Sequence, residues 1–536
     1  MDLIITGANV LTMDRRDRRA EAVAVRDGKV AAVGTSAEVS ELTGPDAEVF
    51  DAAGRTVVPG FVDPHNHFSL TTFQPVSVDC SAPPHNSVAS VLEAISIAAR
   101  GAAPGRWITG WGFRTYTVKD NRALGRSELD EAAPDNPVCV MDASVHACYA
   151  NSAALKLADI SRDTPDPVHG QFRRDAGGEL DGTLWEAAMD PVHALSLRAQ
   201  LDYYGDNIAD LVRDNCMRHV AKGITSVGDA LVVPEAAEMY RRTEALGKLP
   251  IVLHQMLGGD TFFAHPERPA KGRIGDGNVS DRLRGGTVKM FMDPVFPSAA
   301  LTRFHDHGGE EHVGERYYTQ EEANDLVISA HERGLQVAIH CLGTWSIEQA
   351  LNAFEAALKR RPAEEPRFRI EHYWFPTLDQ IRRTRSLGVV ASVQPPFVHT
   401  FGDYARDTAK EMGGDVRVFP LKTMLAEGVT ISASSDCPCA VLDPMAGLYA
   451  IVTRRARRTG ERVVEEEAVT PLEGLRMYTI NAAYAMSRES EVGSLEVGKR
   501  ADMAVLSHDP TAVDPESIRD ITVDRTYVEG RLLYQR

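Results

Sequence analysis

Eight short apolar segments, each ending in polar or reactive residues, recur through the middle of this 536-residue chain. They occupy residues 57–67, 223–230, 250–257, 287–293, 335–343, 368–375, 388–397 and 428–438. Stretches with helical periodicity separate many of them; residues 319–334, for example, open with a Thr-x-x-Glu capping pattern and end on glycine. Strands that alternate with helices predict a parallel sheet, and eight such units predict closure into a (β/α)8 barrel of the TIM type.

The two ends of the chain share a different pattern, in which apolar and polar residues alternate as they do in antiparallel strands. The dipeptides Asp27-Gly28 and Glu529-Gly530 interrupt this alternation, and Asp-Gly in particular is a strong hairpin signal. We therefore predict a small β-sandwich module built from residues 1–57 and 491–536, with the barrel domain over residues 58–490 between them.

A long interval separates the first two predicted strands. Residues 68–222 are too many for a loop, so they predict a folded insertion close to the strand ends. Its Trp111 and Phe113, together with Trp345 after the fifth strand, favour an apolar or aromatic group in a substrate pocket. The alternative for these side chains is an ordinary place in a hydrophobic core.

The charge and composition of the chain exclude several classes of partner. The net charge of −18 argues against binding to nucleic acid or to an anionic membrane, both of which favour a basic face. No secretion signal and no membrane-spanning apolar run is present in the sequence. The seven scattered cysteines are typical of reduced thiols, so we expect a cytoplasmic protein that acts on a small molecule.

The C-terminal ends of barrel strands form the active-site face of such folds. The residues there that could bind a metal or take part in catalysis are His65, His67, Lys289, His340, His372 and Asp436. A single histidine is more often an ordinary hydrogen-bonded residue. Four histidines and a carboxylate at the ends of the first, fifth, sixth and eighth strands instead predict a site for divalent metal. For Lys289 the alternative is an ion pair with Asp293.

The segment GFVDPHNH resembles the metal-binding G-x-x-D-x-H-x-H signature of the amidohydrolase superfamily. Other segments resemble its YtcJ-like branch (amidohydrolase 3 type), which includes N-substituted formamide deformylases. They are residues 141–155, 182–188, 288–293, 370–375, 392–397, 435–444 and 478–506, so the resemblance spans nearly the whole chain. The sequence departs from the branch pattern at residues 343–345, where a charged pair is missing, and at Pro294, and both changes should reshape the pocket.

The resemblance implies a role for each strand-end residue. His65 and His67 would hold a first metal ion with Asp436, and His340 and His372 would hold a second. Lys289 would be carbamylated and bridge the ions. His146 would contact the substrate or a metal-bound oxygen, and Glu186 is a further candidate for the pocket, with a helix-surface carboxylate as its alternative. One or two divalent ions are therefore expected, zinc first, with Mn, Fe or Co as alternatives, and a homodimer is the assembly implied.

The expected reaction is hydrolysis of a non-peptide C–N bond, such as that of an amide, formamide, lactam or imide. A metal-activated water would attack the carbonyl carbon, and Asp436 would carry its proton to the leaving nitrogen. Two alternatives remain open from the sequence. The same residues could deaminate a heterocycle or hydrolyse an ester, because one fold hosts many reactions. A metal-free relative acting as a scaffold is the other.

Overall fold

The computed structural model describes residues 2–44, 47–258, 280–294, 304–305, 311–312 and 317–536. Its central element is an eight-stranded parallel sheet, in which each strand pairs with the next along the chain. The strands are β1 (Phe61–Asn66), β2 (Ile224–Val232), β3 (Val252–Gly258), β4 (Leu283–Phe291), β5 (Gln336–Cys341), β6 (Arg369–His372), β7 (Val390–Val393) and β8 (Thr430–Ala433). The eight predicted strands are confirmed.

The first and last strands of this sheet come close to each other just beyond β8. The backbone N–H of Asp436 donates to the carbonyl of His65 over 2.9 Å, and the N–H of His67 donates to the carbonyl of Cys437 over 2.9 Å. The sheet is therefore nearly closed, which is consistent with a TIM-like barrel. These two bonds also bring the C-terminal ends of β1 and β8 together, where three of the candidate residues lie.

Helices cover the outside of the sheet, as the strand–helix alternation predicts. They are Ile208–Val220, Pro234–Ala245, Gln320–Glu332, Thr344–Arg360, Leu378–Ser386, Pro395–Met412, Leu421–Ala426, Pro444–Thr453, Pro471–Tyr478 and Ile480–Ala485. The capping box predicted from Thr319 and Glu322 is present at the start of its helix. One large hydrophobic cluster unites these helices with the strands, so the sheet is held in a rigid core.

The segment between β1 and β2 folds around a sheet of its own. Its strands, in spatial order, are Gly170–Arg174, Leu180–Glu186, Ala147–Ala150, Val138–Asp142, Ile108–Phe113 and Val78–Asp79. Its helices are Phe68–Phe73, Val88–Arg100, Arg126–Ala132, Ser152–Leu157 and Asp190–Tyr204. Val91 and Ile95 of the second helix belong to a hydrophobic cluster with Val138 and Val140. The insertion sheet therefore has a core of its own, whereas Phe68 and Phe73 of the first helix pack in the cluster of the barrel sheet.

The terminal strands form two further sheets. The first contains Lys29–Gly34, Ala22–Arg26, Leu3–Thr6 and Glu48–Asp51, in that order. The second contains Arg531–Gln535, Val523–Val528, Met503–Leu506, Thr56–Pro59, Asn9–Leu11 and Arg19–Ala20. Both predicted hairpins are confirmed, and each has two turn residues with positive φ, at 51° and 72° in both turns. A separate β-sandwich domain with boundaries at residues 57 and 491 stays a prediction.

Two findings bear on the expectations from composition. All seven cysteines are free thiols. Among the described residues, every helix is too short or too polar to cross a membrane.

Candidate active site

A cavity opens at the C-terminal ends of the barrel strands. All six strand-end residues singled out from the sequence line it: His65, His67, Lys289, His340, His372 and Asp436. The cavity brings together residues from positions 65 to 436 of the chain because the parallel strands all end at this face.

His65, His67 and Asp436 form the tightest group. The Nε2 atoms of His67 and His65 lie 3.0 Å and 3.4 Å from Oδ1 of Asp436, and one ligand atom of each residue lies within 4.8 Å of the others. Ligand atoms around a tetrahedral ion with bonds of about 2.0–2.1 Å are roughly 3.3 Å apart. The spacing of these three groups therefore suits a divalent cation.

The hydrogen bonds behind the imidazole rings decide which ring nitrogen faces the cavity. In each of the four rings Nδ1 meets an oxygen: His65 meets Glu371 Oε2 at 2.5 Å, His67 the Ala230 carbonyl at 3.0 Å, His340 Asp293 Oδ1 at 2.8 Å and His372 Gln394 Oε1 at 2.7 Å. An oxygen acceptor holds the proton on Nδ1, which leaves the lone pair on Nε2 for a metal.

The orientation of the Gln394 amide is supported by its other contacts. Its Nε2 donates to the Ser392 carbonyl at 3.4 Å and to Oγ of Ser434 at 3.1 Å. Ser434 in turn donates to the carbonyl of Val393. The amide oxygen therefore faces His372, and this ring is held in the same tautomer as the other three.

This tautomer leaves the Nε2 lone pair of His67 facing a carboxylate oxygen. Oδ1 of Asp436 is buried and accepts no hydrogen bond from any residue in the described part of the chain. Two acceptor atoms 3.0 Å apart repel each other unless a cation lies between them. The donor set therefore fits a divalent metal ion.

The second pair of histidines lies beside the first. The ring centroids of His340 and His372 are 4.5 Å apart, and those of His65 and His372 are 5.0 Å apart. Burial lowers the pKa of His65 to about 4, and it also lowers the pKa of His340 and of His372. These rings are therefore neutral near pH 7, which is the form that binds metal.

The cavity favours the charged form of one ionisable group, Asp436, and the neutral form of another, Lys289. Burial alone would raise the pKa of Asp436, but His65 and His67 outweigh it, so the pKa is lowered and the group is a carboxylate. Burial lowers the pKa of Lys289, although Glu371 and Asp436 oppose the shift. A lowered pKa makes the neutral amine more accessible, and the neutral amine is the form that reacts with CO2.

Lys289 does not form the ion pair with Asp293 that the sequence left open. Its Nζ lies 4.9 Å from the ring centroid of Phe291 and has no ion pair or hydrogen bond with any described residue. Asp293 instead accepts from Nδ1 of His340, from the backbone of Leu342 and Gly343, and from Ser346. A buried ammonium without a counter-ion is costly, which favours a neutral or modified amine at this position.

Two of the candidate ligands have unusual backbone conformations. In the pairing of β5 with β6, His340 lies opposite Glu371, and Cys341 lies opposite His372. Regular alternation would therefore turn Glu371 inward with His340, and His372 outward. His372 has a φ of 77° and Asp436 has a φ of 54°. Such angles are strained for residues other than glycine and cluster at functional sites, and here they turn both side chains toward the cavity.

The insertion supplies the opposite wall of the cavity. His146 lines it, with its ring centroid 5.9 Å from that of His340, and its Nδ1 lies 2.8 Å from Oε2 of Glu186. Burial alone would lower the pKa of His146, but the Glu186 carboxylate raises it. Glu186 is the buried last residue of a strand, with a φ of 52°, so it is not the helix-surface carboxylate considered from the sequence.

The aromatic residues proposed for the pocket lie in three different places. Trp111 lines a second cavity that adjoins the first. Phe113 is fully buried in the insertion core, where its ring meets Tyr149 edge-on at 5.2 Å, so it is a packing residue. Trp345 is half-buried in the first turn of the helix Thr344–Arg360 and is not among the described residues that line either cavity.

Sequence reasoning missed the residues that orient the imidazoles, namely Glu371, Asp293 and Gln394. Glu371 and Asp293 are carboxylates at strand ends, so the rule that selected the candidate ligands could also have selected them. Gln394 carries no such signal.

Comparison with known proteins places this site in a family. The profile of the amidohydrolase family matches residues 48–534. The chain belongs to the amidohydrolase family. Over its whole length, this amidohydrolase is 40% identical to the N-substituted formamide deformylase of Arthrobacter pascens, 98% of which is covered. It is also 28% identical to YtcJ of Bacillus subtilis (strain 168), with both chains fully covered.

Solved structures resemble the amidohydrolase in fold. An uncharacterized metal-dependent hydrolase from Pyrococcus horikoshii OT3 matches with a TM-score of 0.75 and 24% identity, covering 96% of this chain and 99% of that one. A second, from Pyrococcus furiosus, matches with a TM-score of 0.72 and 23% identity over 95% and 99% of the two chains. The family and its relatives make this amidohydrolase an enzyme, a hydrolase of carbon–nitrogen bonds.

Proposed function

We propose that this amidohydrolase hydrolyses a non-peptide C–N bond of a small amide, formamide, lactam or imide. The observation that carries the proposal is the set of four imidazoles, each anchored at Nδ1, around a buried carboxylate oxygen that has no hydrogen-bond partner among the described residues. N-substituted formamides are the first class to test, because the relative named for that activity aligns over the full chain.

The proposed site holds one or two divalent ions, with zinc as the first candidate. His65, His67 and Asp436 would hold one ion, and His340 and His372 the other. When bound, such an ion lowers the pKa of a water molecule and polarises a carbonyl oxygen. The unpartnered amine of Lys289 would be carbamylated by CO2, which converts a cation into an anionic oxygen donor that can bridge two ions.

The side chains of this protein would carry the proton in the reaction. Asp436 takes a proton from the attacking water molecule while the oxygen of that water forms a bond to the carbonyl carbon. It then delivers that proton to the nitrogen as the C–N bond breaks, because an amine anion is a very poor leaving group. His146 donates a hydrogen bond to the carbonyl oxygen, where negative charge develops. The products are a carboxylic acid and an amine.

The test is a substrate panel with metal-loaded enzyme. Protein is stripped with a chelator, reloaded with zinc and bicarbonate, and assayed with N-formyl amines, N-acyl amines, cyclic amides, esters and amino-substituted heterocycles. We expect release of an amine from one of the amide classes, and no release from the stripped protein. Turnover of esters or heterocyclic amines alone would contradict the proposal and favour an esterase or a deaminase. A protein that takes up no metal and turns over none of the compounds would favour a scaffold role.

A further inference from the structure

Among the described residues, six histidines line the cavity at the strand ends, which we call the active-site cavity. In five of them an oxygen lies within hydrogen-bond distance of Nδ1; these are His65, His67, His146, His340 and His372. The sixth, His193, differs. Neither of its ring nitrogens has a hydrogen-bond or ion-pair partner within the part of the chain that the structure describes. The hydrogen-bonding groups of this ring are therefore open to a ligand.

A helix of the insertion aims His193 at the active-site cavity. One stripe of the helix Asp190–Tyr204 lines the second cavity, and it consists of His193, Ser196, Leu197 and Gln200. Their spacing of three and four residues places them on one face of the helix. His193 stands at the N-terminal end of the stripe and is the member that also lines the active-site cavity. Its half-buried imidazole therefore lies where the two cavities meet.

The other polar side chains of this stripe have partners within the protein. Oγ of Ser196 donates to the backbone carbonyl of His193 over 2.8 Å, and Nε2 of Gln200 donates to Oγ1 of Thr109 over 3.2 Å. The ring of His193 is neutral near pH 7, because burial lowers its pKa to about 4 although Glu235 opposes the shift. A neutral imidazole carries one N–H donor and one lone pair that accepts. His193 therefore offers the cavity an uncharged acceptor.

A secondary amide has one polar group that the residues assigned above do not bind. Under the proposed function, its carbonyl oxygen accepts from His146, and Asp436 delivers a proton to its nitrogen. The group that remains is the N–H, a donor that needs an acceptor once water is excluded. Ser69 and Cys439 also line the active-site cavity, but their side chains are hydrogen-bonded within the protein. The lone pair of His193 is the acceptor that the wall leaves unused.

We propose that His193 accepts a hydrogen bond from the N–H of the scissile amide and so makes the enzyme selective for secondary over tertiary amides. This inference rests on the proposed function and deepens it. His193 lies on the insertion wall and Asp436 on the barrel wall of the same cavity. A bond through the hydrogen would fix the orientation of the nitrogen, whose lone pair receives the proton from Asp436 as the C–N bond breaks. A tertiary amide has no N–H and would leave the imidazole unpaired.

The first test is a double-mutant cycle between one side chain and one substrate hydrogen. Zinc-loaded wild-type enzyme and H193L are assayed with N-methylformamide and with N,N-dimethylformamide, in which a methyl group replaces the N–H. We expect H193L to lower kcat/KM for N-methylformamide by about 10- to 100-fold, because the N–H loses its acceptor, and to leave N,N-dimethylformamide within about threefold. An equal change with both substrates in a folded H193L would overturn the inference.

Two further variants separate the hydrogen bond from packing. H193Q keeps an acceptor oxygen on a side chain of similar reach, and it should hold kcat/KM for N-methylformamide within about fivefold of wild type. The matched control is M141L, which changes another residue shared by the two cavities without altering its polarity. M141L should affect the two substrates equally. An H193Q enzyme no more active than H193L toward N-methylformamide would contradict the inference.

A binding measurement separates failure of this inference from failure of the proposed function. Trimethylurea, which has one N–H, and tetramethylurea, which has none, are titrated by calorimetry into zinc-loaded wild type and H193L. Wild type should bind trimethylurea about tenfold more tightly, and H193L should bind the two within about threefold. That result supports the hydrogen bond even if no formamide is hydrolysed. A wild type without preference for the N–H compound in either experiment overturns the inference, and hydrolysis of formamides in that case keeps the reaction. Because this preference is measured on wild type, the inference stays testable if H193L does not fold.

Discussion

The two walls of the active-site cavity differ in kind. The barrel wall carries four imidazoles, a lysine and a carboxylate, and buried oxygens behind the imidazoles fix the orientation of each ring. The insertion wall carries one histidine–glutamate pair, His146 and Glu186, beside apolar residues such as Leu70, Met141 and Val145. Under the proposed function, the barrel wall would determine the reaction and the insertion wall would select the substrate.

The difference follows from how each wall is built. Glu371 behind His65 is fully buried and also binds the buried Arg369, so an internal ion pair fixes the position of this candidate ligand. Ring positions set in this way tolerate little movement, as a metal site requires. The insertion wall belongs to a separate sheet with hydrophobic clusters of its own, and the oxygens that lie next to Nδ1 of the four imidazoles are all outside the insertion.

The largest effect should come from the barrel wall. D436N removes the charge and the proton acceptor while keeping the shape of the side chain. We expect turnover to fall by roughly 10⁴-fold, because proton transfer to the leaving nitrogen is lost. Melting temperature and circular dichroism should show that the variant is folded. A variant that turns over at the wild-type rate would remove Asp436 from the mechanism.

The next largest effect, on metal affinity, should come from the residues that orient the imidazoles. Q394L removes the oxygen that accepts from Nδ1 of His372, so the ring loses its orientation. Metal affinity measured by chelator competition should fall roughly 10- to 100-fold. The matched control is Q349L, a buried glutamine that donates to the carbonyl of Tyr318 away from the cavity. An equal loss of affinity in both variants would show a general packing effect instead.

A smaller effect is expected on the insertion wall. E186Q keeps the hydrogen bond to His146 but removes the charge that raises the pKa of this histidine. The donating, protonated form is lost as pH rises through the pKa, so a lower pKa moves that loss to lower pH. We expect a decrease in kcat of about tenfold at neutral pH, corresponding to one weakened hydrogen bond. An unchanged pH profile would mean that His146 does not act as the donor.

The smallest effect is on stability. The pKa of His193 is lowered from 6.5 to about 4 in the folded protein. Between these values the unfolded chain binds a proton that the folded chain does not, so stability falls as pH falls from 6.5 to 4. H193N should therefore lose less melting temperature than wild type between pH 7 and pH 5. Parallel losses in the two proteins would contradict this assignment.

Much of the barrel and its ligands could be predicted from the sequence, because strand–helix periodicity and strand-end position are local signals. That His65 and His67 face the same side follows from their spacing of two residues on an extended segment. The capping box at Thr319 predicted the start of its helix. The position of His372 is different. Regular strand alternation would point its side chain outward. A positive φ turns it toward the cavity, and no local sequence pattern predicts that angle.

The insertion wall was less accessible to sequence reasoning. Aromatic composition suggested Trp111, Phe113 and Trp345 together, but tertiary packing places Phe113 in a core and Trp111 in the wall of the second cavity. The second cavity is lined by residues from helices and strands far apart in the insertion, and no sequence motif links them. Asp293 was considered as a partner of Lys289, whereas its contacts are with His340 and the following backbone.

The most direct measurement is anomalous diffraction at the zinc edge, from crystals of protein loaded with zinc and bicarbonate. The account predicts a strong anomalous peak bounded by Nε2 of His65, Nε2 of His67 and a carboxylate oxygen of Asp436, with bond lengths of about 2.0–2.2 Å. A fully loaded protein whose zinc lies elsewhere, with no peak between these three side chains, would contradict it.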